Sequence, residues 1–575
     1  MKRRVLFGLA SVVLLLIAWQ LPTGWYYSLP RRPETPPLPF SGVDFLRLTF
    51  LVEAIAVGCL AVVAWRPRPV PPEERLQPPR RTDPPFDLSH SQATWLLLLI
   101  TLVALALRSY HLGNDLWLDE ISPIVDYGRM PFVQVIGSYL RTNNHLLNTL
   151  LTRISIGAFG ESEWAVRIPA MLFGVATIPV FYWVARIALS RWASIAGSAV
   201  LAVSYHHIFF SQNARGYSAA LFFALATSGL LIRALSDDRG WRWCLYVVAM
   251  VLGFASLAQT MFVFAGHVLI GLIVIVLVRK RGGTGIPIAR RLTVVFVAAG
   301  FLSLQLYAAP LPEMYAVITH LYVKPSTGFA PFSMEFLREI IRGVTAGFGG
   351  LLPVIVILIV GIIGIGILFR VSWLLTAALG LPPLLTSVFL IVGGLSFSPR
   401  FFLILIPLGI LAIMAAAEAP IASLFRRSSL VGNAHPRRAA VVGSLVAFAS
   451  LMSLPRYYAT PKQPYRATLA YLETVRQPFE KVVFVYAAEM GFRYYVAKVG
   501  VRSPEDYVYT HTREGFDSLV APERGPVMVV TTLRRVLRAE LPVVAARLEQ
   551  EWRPVRNFAG TIGDGDITVW VKKTQ

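Results

Sequence analysis

MFVFAGHVLIGLIVIVLVRKRGGTGIPIARRLTVVFVAAGFLSLQLY (261–307) is two apolar runs joined by RKRGGTGIPIARR (279–291), in which every charge is positive. A helix needs about 20 mostly apolar residues to cross the hydrocarbon layer of a bilayer, and both runs approach that length. Lys and Arg gather in the cytoplasmic loops of membrane proteins. The stretch therefore predicts two spanning helices that turn back on the cytoplasmic side.

The same ruler, carried outward, gives about thirteen spans. They lie near 5–21, 44–65, 93–108, 166–187, 193–211, 217–235, 243–259, 262–278, 292–310, 351–369, 371–395, 401–418 and 438–454. Composition agrees. The 575 residues are 55% hydrophobic and only 15% charged, with a mean hydropathy of +0.60. Soluble proteins carry about 25% charged residues, so lipid must serve as solvent for much of this surface. The net charge of +22 is not a nucleic-acid signature, because it sits in short clusters between apolar runs. It reads as topogenic charge with affinity for anionic lipid. The two cysteines, Cys59 and Cys244, lie inside apolar runs and offer neither a disulfide framework nor a zinc site.

MKRRVLFGLASVVLLLIAWQLPTG (1–24) resembles a signal peptide but shows no small-x-small cleavage site, and is read as an uncleaved first span. Lys2, Arg3 and Arg4 place the N-terminus in the cytoplasm. The loops then expected inside include 66–92, 279–291 and FRRSSLVGNAHPRR (425–438), nearly all basic. The loops expected outside, 109–165 and 311–350, carry mixed charge. Four regions follow: two N-terminal spans (1–65), a proline-rich cytoplasmic linker expected to be extended and mobile (66–92), a membrane core (93–455) and a C-terminal domain (456–575). In the last, KVVFVYAAE (481–489), PVMVVTTL (526–533) and ITVWVKK (567–573) read as strands among helical patterns at 465–476 and 534–551. The fold class is thus an α-helical polytopic membrane protein with a small external α/β domain. It would sit in the plasma or inner membrane.

The external loop LRSYHLGNDLWLDEISPIVDYGRM (107–130) sets Asp119 and Glu120 just past a span. Paired carboxylates there suit a general base or a ligand, and equally a solvated acidic turn. In RTNNHLLNTLLTRISIGAFGESEWAVRIPAMLFG (141–174), Asn144 and His145 open an apolar stretch too short to span, which suits a helix lying in the interface. Arg167 opens the next span, as a site residue or as a snorkelling anchor. SYHHIFFSQNARGYSAALFF (204–223) puts Arg215 and Tyr217 in an external turn, and SFSPRFFLILIP (396–407) puts Arg400 at a similar depth. Arg is the natural bidentate partner of phosphate. A carboxylate with several arginines at one membrane face suggests a lipid-linked phosphate site.

Taken in order, LWLDE, NNHLLNTLL, FGESEWAVRIPAMLFG, SQNARGYS and SPRFFLILIP make the sequence similar to the membrane glycosyltransferases of the C-type fold. It most resembles the family of protein O-mannosyltransferases and the lipid A aminoarabinose transferase, over roughly 93–420. Where relatives carry a His-Pro-Pro motif, Leu146 and Leu147 replace the prolines. The resemblance implies a sugar donor on polyprenyl phosphate and an acceptor hydroxyl on a glycan, lipid or protein. It implies Asp119 as catalytic base, with Arg215, Arg400 and Arg167 meeting the lipid phosphate. Glu120, Asn144, His145 and Tyr217 would complete the substrate site. The resemblance leaves a metal open: the relatives manage without one, while the adjacent carboxylates could hold Mg²⁺ or Mn²⁺. Transfer would invert the anomeric centre. A transporter or flippase of lipid-linked sugars, a glycan polymerase or ligase, and a non-catalytic scaffold are the other readings.

Overall fold

A computed structural model describes every residue except 1, 23, 30–39, 63–68, 77–85, 142, 318, 320–328, 349, 420–434, 478–479, 522–526, 562–563 and 574–575. Most of the basic loop expected over 425–438 and parts of the proline-rich linker lie outside the described residues.

Each expected span coincides with a helix. By length and composition, eight described helices can cross a membrane: His90–Ser109, Glu163–Ala185, Tyr217–Asp237, Thr260–Lys280, Ile286–Leu306, Val354–Val371, Trp373–Val392 and Pro436–Ala459. Arg191–Val203 and Tyr205–Ser211 form a ninth, bent by 59° at Ser204, where a straight span is expected from sequence. Arg4–Gln20, Gly240–Ser256 and Leu405–Glu418 are apolar but shorter, and Gly42–Val62 carries Asp44, Arg47 and Glu53. Among the described residues, length and composition alone qualify eight or nine crossings, and these four shorter or charged helices make up the rest of the expected thirteen. Leu146–Phe159 is a short apolar helix, as its sequence suggests.

The helices share one apolar core that includes Phe181, Leu201, Leu231, Met250, Leu375 and Leu411. Small residues let backbones approach, the usual means of helix association where no water is expelled. At Gly364 a Cβ would sit 2.0 Å from the Ala412 carbonyl oxygen. Leu99, Leu102, Ile359, Ile362 and Leu445 point outward and are exposed, as lipid-facing side chains must be.

The C-terminal domain is a five-stranded sheet in the order β2-β1-β3-β5-β4. β1 (Lys481–Val485), β2 (Tyr507–Thr510) and β3 (Val527–Thr532) run parallel. β4 (Trp552–Phe558) and β5 (Ile567–Lys572) are antiparallel. β2 and β4 are absent from the sequence reading. β2 has four residues, and WRPVRNF (552–558) carries two arginines and a proline, which suits an edge strand. One sheet face packs Phe484, Phe492 and Tyr495 together with Leu116, Ile121, Val166 and Ala214 from the membrane part. The sheet domain and the first large loop therefore share a core.

At the opposite face the linker is anchored over 70–76, not mobile there. Pro72–Glu74 forms a 3-10 turn, and buried Glu74 accepts hydrogen bonds from Thr284 N (3.1 Å), Thr284 Oγ1 (2.8 Å) and Gly285 N (3.2 Å). Val70 N donates to Asp238 Oδ2 at 2.7 Å. The carboxylates meet amides that would otherwise go unpaired at this basic surface. Glu74→Ala leaves these donors without an acceptor, at about 1–3 kcal/mol for each buried group. It should speed tryptic cleavage after Arg75 several-fold, read by limited proteolysis; an unchanged rate would remove Glu74 as the anchor.

Candidate active site

Trp117 caps the helix Leu118–Tyr127, and Asp119 and Glu120 fall in its first turn, where the helix dipole favours carboxylates. Consecutive helical residues point about 100° apart. The acidic pair accordingly divides between two environments.

Glu120 is fully buried. Its Oε1 accepts from Arg167 Nε (2.8 Å) and Ala214 N (2.7 Å), and its Oε2 from Arg167 Nη2 (2.7 Å). Lys462 Nζ stands 3.4 Å from Oε2. Burial pushes the Glu120 carboxyl up, but Arg167 and Lys462 outweigh it and hold it at about 2. Burial lowers the Lys462 ammonium to about 7 against the pull of Glu120. The other donors of Arg167 reach the carbonyls of Leu112 (2.9 Å), Asn114 (2.6 Å) and Asp115 (3.0 Å). Neither side chain lines the main cavity. The sequence reading puts Glu120 and Arg167 on the substrate; the geometry spends both on holding the loop.

Asp119 lines a cavity of about 1590 Å³ between the membrane helices and the sheet domain. Its Oδ2 lies 3.0 Å from Arg215 Nη1 and 3.0 Å from Arg400 Nη1. Arg215 is 3% exposed, and its Nε is buried with no partner among the described residues. Arg400 sits on the 3-10 turn Pro399–Phe402, which Gln259 fixes by donating to the Phe401 carbonyl. Arg400 also borders a smaller apolar cavity lined by Tyr217, Gln259, Pro382 and Phe401.

His145 Nδ1 accepts the amide of Gly216 at 2.8 Å, and its Nε2 is 3.3 Å from Arg215 Nη2. Burial, then Arg215 and Arg400, hold the imidazole well below its usual range, so it is neutral. With Nδ1 accepting, the proton is on Nε2, beside the Arg215 donors. Gly216 fits because a Cβ there would meet the Ser256 carbonyl oxygen at 1.9 Å. Tyr217 packs edge-on to His145 at 5.4 Å and lies 5.6 Å from the Arg215 guanidinium. Asn144 is turned away from the cavity: its Nδ2 donates to the carbonyls of Val135 and Ser138, both at 3.2 Å. The lining amide is its neighbour Asn143, which donates to Ser122 Oγ at 3.3 Å.

Asp119, Arg215, Arg400 and His145 thus converge, with Tyr217 behind them. Sequence reasoning missed the contribution of the sheet domain. Lys462 reaches Glu120, Gln463 Oε1 accepts from Leu118 N (2.7 Å), and Tyr495 OH accepts from Leu116 N (2.7 Å). Arg466 Nη1 pairs with Asp115 at 2.8 Å and its Nη2 with Glu163. Nothing in TPKQPYR (460–466) distinguishes these side chains from solvated surface. Among the described residues, no three His, Cys, Asp or Glu side chains gather as a ligand set. The Asp119–Glu120 pair does not fit Mg²⁺ or Mn²⁺: the Glu120 oxygens face Arg167 and Lys462, and Asp119 faces two guanidinium groups.

Removing one member of a buried ion pair costs about 3–5 kcal/mol. Glu120→Gln should lower the melting temperature clearly, and Asp119→Asn by less, because Asp119 and its second partner Arg400 are partly exposed at the cavity wall, where water can reach the freed guanidinium groups. Because the folded Glu120 carboxyl is held at about 2, its contribution is full above the ordinary value of 4.5 and is lost as pH falls from there towards 2. Melting curves of the wild type and Glu120→Gln should therefore converge only in that acidic window.

Residues 146–307 match the family described as dolichyl-phosphate-mannose-protein mannosyltransferase. No curated protein sequence matches the chain. The structure is similar to ArnT from Cupriavidus metallidurans in the apo state, with 14% identity and a TM-score of 0.50 over 83% of this chain and 98% of that one. It also matches that ArnT bound to undecaprenyl phosphate, with 14% identity and a TM-score of 0.44 over 84% and 98% of the two chains. A third match is the arabinosyltransferase EmbB from Mycobacterium smegmatis, with 13% identity and a TM-score of 0.40 over 90% of this chain and 49% of that one. The chain therefore shares its overall fold with ArnT, the C-type membrane glycosyltransferase fold.

Proposed function

We propose that the protein is a membrane glycosyltransferase that moves a sugar from a polyprenyl-phosphate donor to an acceptor hydroxyl at the extracytoplasmic face, with inversion. The observation that carries this reading is one carboxylate, Asp119, held 3.0 Å from each of two arginines drawn from distant segments, at the wall of a large cavity. The family matched over 146–307 is described by a polyprenyl-type phosphate donor. Arg239, Arg242, Lys280, Arg281 and Arg290 lie at or beyond the far ends of the helices Tyr217–Asp237 and Thr260–Lys280, whose first residues border the site, and this charge supports a cytoplasmic location for that end.

In this reading Asp119 holds the two guanidinium groups that a phosphate oxygen would bind. An arriving lipid phosphate takes over the guanidinium groups of Arg215 and Arg400, and behind Asp119 stand the lone Nε of Arg215 and the Nε2–H of His145 as further donors. The prenyl tail enters the apolar cavity beside Tyr217 and Pro382, which Arg400 links to the larger one. Asp119 then accepts a proton from the acceptor hydroxyl, whose oxygen forms a bond to the anomeric carbon. The bond from that carbon to the phosphate oxygen breaks, and prenyl phosphate leaves with the electron pair. The arginines stabilise the charge that grows on it. A single displacement inverts the anomeric centre. No step calls for a divalent cation.

Asp119→Asn should lower transfer by about 10²–10⁴-fold, the usual worth of general-base catalysis, with the fold intact. Radiolabelled transfer from a polyprenyl-phosphate sugar, with melting temperature alongside, checks it; full activity in the variant would remove Asp119 as base. Arg215→Ala should raise the donor KM by about tenfold or more while the acceptor KM moves little. Equal donor KM values in variant and wild type would take Arg215 out of the phosphate site.

A further inference from the structure

Part of the cavity wall is the carboxyl edge of the sheet domain. The chain passes from β1 to β2 on one side, then crosses to β3 on the other, all three parallel. The winding reverses between β1 and β3, and open α/β sheets hold ligands in the crevice at the carboxyl ends of such strands. Here that crevice opens on the cavity. Tyr486, which follows β1, and Leu533, which follows β3, both line it. Both are non-glycine residues at positive φ, 53° and 49°. Side chains are rarely held in that conformation, and such strain gathers where ligands are gripped.

Charge indicates what that ligand is. Arg129 pairs with Glu161 (3.3 Å), Arg342 with Glu339 (3.0 Å) and Arg493 with Glu489 (2.8 Å) along the cavity lining. Glu489 also fills the first turn of the helix Ala487–Val499, the position a bound phosphate would take. These arginines are already neutralised, unlike the Arg215–Arg400 pair, which shares one carboxylate. A carboxylate beside a guanidinium offers acceptor and donor together, which suits a hydroxyl, itself both. A phosphate calls for uncompensated cations. The cavity volume of about 1590 Å³ exceeds the roughly 300–1,000 Å³ of a small-molecule pocket, so an extended ligand fits.

We infer that the acceptor is an uncharged glycan chain, seated between the carboxyl edge of the sheet and Asp119, with Tyr486, Glu489 and Arg493 as contacts. This rests on the transferase reading above. The test uses the full-length protein in detergent with a polyprenyl-phosphate sugar. It compares a panel of uncharged gluco-, manno-, galacto- and arabino-oligosaccharides with a phosphate-bearing glycolipid and a Ser/Thr peptide as acceptors.

The expected result is sugar transfer to a member of the oligosaccharide panel. Replacing Glu489 and Arg493 together by Ala, which leaves the net charge unchanged, should raise the oligosaccharide KM about tenfold and leave the donor KM in place. Glu489→Gln, which keeps the shape of the side chain, should shift the same KM in the same direction and guards against misfolding of the double variant. Transfer to the glycolipid or the peptide and not to the oligosaccharides would overturn the acceptor class while the transferase reading stands. A rise in donor KM in either variant, with oligosaccharide KM unmoved, would overturn the placement. Sugar that stays on the lipid with every acceptor and with water would overturn the transferase reading and this inference with it.

Discussion

The buried pair of Glu120 and Arg167 is the constraint on which the site depends. Two charges removed from water are costly unless every lone pair and proton finds a partner. Here that condition is met: the carboxylate takes the fork of Arg167, the Ala214 amide and Lys462, while the remaining guanidinium donors close on three carbonyls of the 112–115 loop. The cluster joins four stretches of chain, at 112–120, Arg167, Ala214 and Lys462, whose apolar residues also share one core. It draws the Ala214 turn against the Leu118–Tyr127 helix, and that act sets Arg215 over Asp119.

Adjacent acids thus do unlike work because a helix turns them apart. Glu120 is spent on architecture and Asp119 is left at a cavity wall, half in reach of water. His145 supports the same turn from the far side. Its neutral ring accepts the Gly216 amide, which requires the imidazole to stay unprotonated, and burial beside two arginines ensures that. The short helix Leu146–Phe159 begins directly after it, so His145 reaches the turn from that helix's N-terminal end.

Much of this was legible in the sequence, for identifiable reasons. Spans are read from apolar length, and residues at their ends inherit a depth, so the sequence alone places Asp119, Arg215 and Arg400 at one face. Which way a side chain turns there was not legible. Asn143 and Asn144 are equivalent in sequence, yet only Asn143 lines the cavity, because Asn144 is claimed by the backbone of Val135 and Ser138. Contacts between remote positions were likewise invisible. Tyr495 binds the Leu116 amide across 379 residues, and no local pattern announces it. The linker over 70–76 reads as mobile from its prolines, and only the pairing of Glu74 with the Thr284 loop shows otherwise.

The sheet domain is not an appendage. Its Gln463 and Tyr495 take amides of the 116–118 segment, its Arg466 holds Asp115, and its apolar face is completed by Leu116, Ile121 and Ala214. Modular exchange at the boundary near 456 would therefore tear a seam rather than swap a cassette. A chimaera that imports a foreign C-terminal domain must import the matching 107–130 loop as well. For the same reason, substitutions in the two segments are expected to track one another through the divergence of such proteins.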